Sequence, residues 1–222
     1  ADDLTLKAAR LLQAESGTAL GADISIDKTV PWAAGLGGGS SDAATTLLAL
    51  NRLWGLGVSR ERLMQLGLTL GADVPVFVFG ENAFAEGVGE QLQAFPLPQA
   101  WYVVLFPPVH VPTAKIFTHP ELTRDTNSIT IRALPIGQSL SSVSWLGNDW
   151  QAIVCKMYPE VAQYLVWLGR FAPAMMTGSG ACVFAEFASK AAADEVLAQL
   201  PEGMRGVVAQ GLQHHPLRDL AV

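Results

Sequence analysis

The sequence predicts an α+β protein of two domains, on three observations. Apolar residues recur at helical spacing in several separate segments. Short strand-like runs are punctuated by glycine and proline, the pattern of antiparallel pairing and not of βαβ crossovers. Prolines at 96, 98, 107, 108 and 112 break the middle of the chain, which places a boundary close to residue 98 and predicts domains 1–98 and 99–222.

In chain order, residues 3–15 place Leu4, Leu6, Ala8, Ala9, Leu11 and Leu12 largely on one helical face, with Asp2 and Asp3 suited to the helix N-terminus. Ile24–Asp27 alternates as a strand. A helix opens at Ser40, buries Ala43, Ala44, Leu47, Leu48, Leu50 and Leu53, and stops near Gly55. Another starts at Ser59 and ends around Gly71. Strand signals follow at Val76–Phe79, Ala83–Glu86, Gln91–Phe95 and Trp101–Phe106. Residues 120–147 lack periodicity and read as a long connection, in which Trp145 and neighbouring Trp150 have no evident role. Helices at 148–156 and 159–171, a strand–turn–strand around Met175–Ala185, a helix at 189–200 and a strand at 205–210 complete a small sandwich with helices on one sheet face.

Half of the 222 residues are apolar, enough for a sizeable core, and charged residues make up 15%. A formal net charge of −6 without a basic cluster argues against a nucleic-acid surface, which depends on neutralising many phosphates. Cys155 and Cys182 lack CxxC spacing and have no zinc-like partners. They read as buried small hydrophobes in a reducing, cytoplasmic compartment. No apolar run reaches the ~18–20 residues that span a bilayer. Residues 1–15 carry acids and then an amphipathic pattern, unlike a signal peptide. His214 and His215, without carboxylate or cysteine partners, read as a solvated tail, and no metal site is expected.

The chemistry concentrates in Pro31-Trp-Ala-Ala-Gly35-Leu-Gly37-Gly38-Gly39-Ser40-Ser41-Asp42. Four glycines in five positions let backbone approach an anion closely, and the helix that follows offers unpaired N–H groups and the positive end of its dipole. A phosphate cradle and a plain glycine turn with a serine cap both fit these residues. The Walker loop does not, because no lysine lies between Lys28 and Lys115. The G-x-G-x-x-G fingerprints fail too, since the sixth position is Ser40 counted from Gly35 and Asp42 counted from Gly37. Asp73, in Gly-Ala-Asp-Val-Pro, is open to two readings: a turn or N-cap residue, or a general base for an arriving phosphoryl group. Thr177-Gly178-Ser179-Gly180-Ala181 reads locally as a tight hairpin and is no hydrolase elbow, because Thr177 and Ala181 stand where glycines are required.

Taken together, P-x-x-x-G-L-G-G-G-S-S-D-A-A, L-T-L-G-A-D-V-P-V-F, G-E-N-A-F-A-E-G-V-G-E, Pro112-Thr-Ala-Lys-Ile-Phe117 and T-G-S-G-A-C-V-F-A-E-F resemble the GHMP kinase superfamily over nearly the whole chain. They resemble most the branch acting on a cytidine diphosphate polyol in isoprenoid biosynthesis. The resemblance implies a nucleotide domain like domain 2 of ribosomal protein S5, followed by a ferredoxin-like α/β sandwich. It implies ATP with Mg²⁺, whose phosphates are wrapped by Pro31, Gly35, Leu36, Gly37, Gly38, Gly39, Ser40 and Ser41. By the same resemblance Asp73 is the catalytic base, Thr113 lies near the substrate diphosphate, and Phe117 stacks on the cytosine. Thr177, Gly178, Ser179, Gly180 and Ala181 then form the C-terminal glycine turn, and Lys28 contributes near the nucleotide. A monomer or homodimer in bacterial cytoplasm or plastid stroma is expected.

Members of the family carry about 60 further residues ahead of this point, including strands of the first domain, a Pro-Ala-Lys motif and a Gly-Tyr-His motif. If the sequence is complete as given, their absence implies severely impaired turnover. Two alternatives stay open: an impaired nucleotide-binding fragment, and a GHMP kinase for another small alcohol.

Overall fold

A computed structural model describes residues 3–31, 34–126 and 147–220. The chain forms two compact units. The first comprises residues 1–30, 37–96 and 213–222, and the second residues 31–36 and 97–212. The chain thus passes between units four times: after Val30, within the glycine loop after Leu36, after Pro96 and after Leu212.

The first unit is mostly helical. α1 (Leu4–Ser16) begins at Asp3, whose carboxylate accepts from the Thr5 N–H, and ends at Gly17 in the left-handed region. α2 (Gly38–Leu53) and α3 (Arg60–Leu70) follow, the latter capped by the Ser59 hydroxyl. α4 (Val74–Phe79) occupies a segment in which a strand was expected over Val76–Phe79. The β-branched and aromatic residues there suit a strand, but Pro75 in the first helical turn and Gly80 at φ 77° bracket a single helical stretch. Its Val74 and Val78 are fully buried against the other helices. Gly67 permits this packing, since a Cβ there would come within 2.8 Å of Val74.

Ala8, Leu12, Leu47, Leu48 and Leu63 complete the core. Leu53, expected inside, is 71% exposed, because α2 ends at that residue and it lies beyond the buried stripe. Leu6 is exposed for the related reason that the buried face of α1 follows Thr5, Ala8 and Leu12. Ile24–Asp27, expected as a strand, has no regular structure; alternation alone does not make a strand without an edge to pair with. β1 (Ala83–Glu86) and β2 (Gln91–Ala94) form an antiparallel hairpin.

The second unit is a four-stranded antiparallel sheet carrying helices. β3 (Trp101–Leu105) leads to α5 (Thr113–Phe117), α6 (Gln151–Met157) and α7 (Pro159–Leu168). The chain then forms β4 (Ala174–Met176), β5 (Val183–Phe187), α8 (Lys190–Leu197) and β6 (Gly206–Gln210). The sheet order is β4-β5-β3-β6, with β3 central between β5 and β6. This is the ferredoxin-like arrangement, two βαβ halves interleaved. Alternate residues Val103, Leu105, Val183 and Ala185 face α7 and α8 across one core with Val161, Tyr164, Leu168, Ala193 and Val196. Glycine is required at 206, where a Cβ would come within 2.5 Å of Leu105 and 2.9 Å of the Val104 carbonyl.

The C-terminal segment returns to the first unit and is not a free tail. Glu81 bridges to His214, the His215 N–H donates to the Gly80 carbonyl, and Arg218 pairs with Glu81. Burial holds the His215 imidazole below its ordinary pKa. Trp145 falls outside the described residues. Among those described, no helix is long and apolar enough to cross a membrane.

Candidate active site

The glycine run does two different things along its length. Gly37 stands at φ 67° as the N-cap of α2 and provides no side-chain cap, so the first turn begins with backbone alone. The first hydrogen bond of the helix runs from the Ser41 N–H to the Gly37 carbonyl. The N–H groups of Gly38, Gly39 and Ser40 therefore have no intrahelical acceptor, which is the construction of an anion site. Close packing dictates small residues here. A Cβ on Gly37 would meet the Phe77 ring at 3.0 Å, and one on Gly38 would meet Val30 at 3.2 Å.

Asp73 belongs to the same unit. It occupies the N-cap position of α4 but makes no capping bond, so the turn-cap reading of this residue does not describe its carboxylate. The side chain is exposed and has no hydrogen-bond partner among the described residues. Phe77, one helical turn on and thus on the same face of α4, is the residue that packs on Gly37. Ser40 also approaches Gly71, its hydroxyl lying 3.9 Å from where a Gly71 Cβ would stand. Packing of α2 on α4 thereby brings Asp73 and the uncapped start of α2 into one neighbourhood. The hairpin turn contributes as well: Gly89, at φ 116°, approaches the Ala72 carbonyl, which a Cβ would meet at 3.0 Å.

Lys28 bonds the Asp42 carboxylate and lies 3.8 Å from that of Asp3. Its hydrogen bond to Asp42 raises the ammonium above its ordinary pKa, so the lysine is a fixed cation beside the α2 start. Asp3 is held below the usual carboxylate range, chiefly by the Thr5 N–H.

In the second unit the structure gathers the remaining candidates. The upstream part of the glycine run docks against the C-terminal turn: the Thr177 hydroxyl donates to the Gly35 carbonyl at 2.8 Å, and the Cys182 N–H donates to the Ala34 carbonyl at 3.1 Å. Gly35 stands at φ 74°, and a Cβ there would lie 2.2 Å from the Thr177 carbonyl oxygen. The turn itself is closed by Gly180 N–H to Thr177 carbonyl and Thr177 N–H to Cys182 carbonyl bonds. The Thr113 and Ser179 hydroxyls lie 2.8 Å apart, which joins the start of α5 to this turn. Phe117, at the other end of α5, is half exposed and packs edge-to-face with Trp150 at 4.7 Å between centroids. Beside them is a cleft of about 720 Å³, whose lining includes Phe117, Arg124, Asn148, Trp150, Met176 and Gly178.

Two of these residues escape sequence reading. Trp150 had no assigned role, and Asn148 carried no signal. Asn148 donates to the carbonyls of Met176 (2.9 Å) and Gly178 (2.7 Å) and accepts from the Trp150 N–H (3.0 Å). Gln151 supports the same strand end by accepting from the Met176 N–H. A lone Asn at the start of a predicted helix looks like any cap residue; the two carbonyls it serves lie about thirty positions away. Cys182 is buried as expected, with its thiol pushed up to about 12 by burial, whereas Cys155 is only half buried.

Residues 3–81 match the family profile described as GHMP kinases N terminal domain, and residues 131–206 match GHMP kinases C terminal. A relative in Nitrosospira multiformis, named 4-diphosphocytidyl-2-C-methyl-D-erythritol kinase, is 57% identical over 99% of this chain and 73% of its own length. The chain belongs to the GHMP kinase family. A relative of the same name in Thiobacillus denitrificans is 58% identical over 98% of this chain and 76% of its own length. The crystal structure of a 4-(cytidine 5'-diphospho)-2C-methyl-D-erythritol kinase superposes with a TM-score of 0.80 at 31% identity, covering 94% of this chain and 78% of that one. A mevalonate kinase structure, at 14% identity and a TM-score of 0.70 over 93% of this chain and 74% of that one, shares the fold.

Among the described residues no group of three or more His, Cys, Asp or Glu side chains could hold a metal ion. A protein-built metal cage does not fit these residues. A magnesium ion carried on nucleotide phosphates and water would need no such group.

Proposed function

We propose that this chain transfers the γ-phosphoryl group of ATP to the 2-hydroxyl of 4-diphosphocytidyl-2-C-methyl-D-erythritol, a step of isoprenoid biosynthesis in the bacterial cytoplasm. The observation that carries the proposal is the pairing of an uncapped glycine helix start with a free carboxylate, in a chain more than half identical to kinases of that name. Gly38, Gly39 and Ser40 present backbone N–H groups to the phosphates, with Pro31, Gly35, Leu36 and Gly37 leading into them and Ser41 following in the first turn of α2. Lys28, paired with Asp42 and close to Asp3, stands beside this helix start near the nucleotide. Mg²⁺, when bound with ATP, neutralises charge across the β- and γ-phosphates.

Asp73 accepts the proton of the substrate hydroxyl as that oxygen attacks the γ-phosphorus. The bond from phosphorus to the β-phosphate bridging oxygen breaks, and ADP leaves with that electron pair. An exposed carboxylate without an internal partner is suited to this role, since no existing hydrogen bond has to be given up. On the substrate side, Thr113 and the turn Thr177–Ala181 receive the diphosphate, and the Phe117 ring takes the cytosine. The aromatic pair and the small-residue turn supply an apolar face and backbone polar groups within one unit.

The test is transfer of labelled γ-phosphate from MgATP to 4-diphosphocytidyl-2-C-methyl-D-erythritol, with Asp73→Asn run alongside. Substrate-dependent transfer by the parent chain that disappears in the variant is the expected result. A folded parent chain that binds MgATP and transfers no phosphate would overturn the activity and leave only nucleotide binding.

A further inference from the structure

Asn148 is the one described side chain that touches both the glycine turn and the backbone of the aromatic pair. Its amide nitrogen has two hydrogens, and both are used: one on the Met176 carbonyl at the end of β4, the other on the Gly178 carbonyl inside the turn. Its amide oxygen accepts from the Trp150 N–H, and the Trp150 indole packs edge-on to Phe117. Asn is the residue type this geometry demands. Asp lacks the donors, Ser has one hydrogen for two carbonyls, and Gln adds a methylene that displaces the fork. Removing the fork takes this donor away from both carbonyls, one at a strand end and one in the turn.

We propose that Asn148 is a positioning residue that couples the turn Thr177–Ala181 to the Phe117–Trp150 pair. The base side and the phosphate side of the substrate are then set by a single side chain, and Trp150 acts as the buttress that fixes the Phe117 ring plane. The inference rests on the substrate reading given above and deepens it. Thr113 strengthens the coupling, because α5 carries Phe117 at one end and bonds Ser179 from the other. Displacement of the turn is thereby transmitted to the ring by two routes, Asn148 through Trp150 and Thr113 through α5.

Three variants of the full chain separate the possibilities: Asn148→Asp, Trp150→Leu and the double variant, with Trp150→Phe as a conservative replacement that retains an aromatic edge. In the absence of ligand, amide resonances of Gly178 and Gly180 and the Trp150 indole resonance are followed by NMR. Asn148→Asp should shift all three, and Trp150→Leu should shift the two glycines although it touches neither. Cytidine diphosphate binding by calorimetry should weaken about tenfold in either single variant and no further in the double, while Trp150→Phe stays within about twofold of the parent. In turnover, the loss should fall mainly on KM for the cytidine substrate, with KM for ATP little changed. Glycine resonances that ignore Trp150, together with binding losses that multiply in the double variant, would overturn the coupling. Coupled resonances in a parent chain that takes up no cytidine diphosphate would instead overturn the substrate reading. A purely structural role predicts a lowered melting temperature with no preference between the two substrates.

Discussion

The two glycine-rich segments use the same residue for opposite ends. In Thr177–Ala181 several polar groups are tied to other parts of the same unit: the Gly178 carbonyl by Asn148, the Gly180 N–H by Thr177, the Ser179 hydroxyl by Thr113, and the Thr177 hydroxyl by Gly35. In Gly38–Ser40 the backbone N–H groups at the helix start have no such partner. Glycine serves the first as a packing device, letting backbone meet backbone. It serves the second as an opening, keeping side chains away from backbone donors that have no intrahelical acceptor. The lesson is that glycine content marks neither binding nor structure; the fate of the polar groups around it does.

The largest effect expected from that contrast is on the open side. Asp73→Asn should lower kcat by about 10²–10⁴-fold while the melting temperature stays put, because the carboxylate has no internal partner to lose. A drop in stability of equal rank would mean that Asp73 is structural after all.

On the closed side the order reverses, with stability leading. Gly35→Ala would force a Cβ to within 2.2 Å of the Thr177 carbonyl at a φ of 74°. The combined cost should be about 3 kcal/mol from left-handed strain and overpacking. Gly17→Ala is the matched control, since Gly17 has φ 66° but nothing within 4 Å, and only about 1 kcal/mol is expected. Thermal melts of the two variants should therefore differ clearly; equal losses would show that the backbone contact at Gly35 is not tight.

Thr177→Val keeps the shape and removes the donor to the Gly35 carbonyl. It should cost about 1 kcal/mol in a denaturant titration, and less if water reaches that carbonyl.

The smallest effect compares two helix starts, capped α1 and uncapped α2. Asp3→Ala should cost about 1 kcal/mol. Asp3 has its folded pKa below the ordinary 3.8 through the Thr5 N–H, so its contribution is present above that pH and is lost as pH falls through the folded value. Melting temperatures of the parent and Asp3→Ala should therefore converge in acid and separate towards neutral pH. A constant gap would assign the loss to packing.

Much of this organisation was legible beforehand. The starts of α1 and α3 follow from Asp3 and Ser59, residues whose short oxygen-bearing side chains cap through local bonds. The hairpin β1–β2 and the strands of the second unit follow from alternation and from glycine and proline between them. The glycine-rich opening of α2 was legible as well, because a run of glycines ahead of an apolar helical pattern marks a helix start with little side-chain bulk.

What escaped was whatever depended on partners distant in sequence. Val74–Phe79 became a helix because burial on α2 and α3 outweighed the strand preference of its residues. Ile24–Asp27 alternates but found no strand to pair with. Asn148 and Trp150 gained their roles only when β4, the turn after it and α5 were brought beside them. By itself the sequence determined the local elements, the family and the kind of chemistry, because caps, turns and glycine loops act within a few residues. Tertiary structure alone decided which carbonyls Asn148 serves, which ring Trp150 supports and why Gly35 must lack a side chain, because those are contacts between segments that only folding makes neighbours.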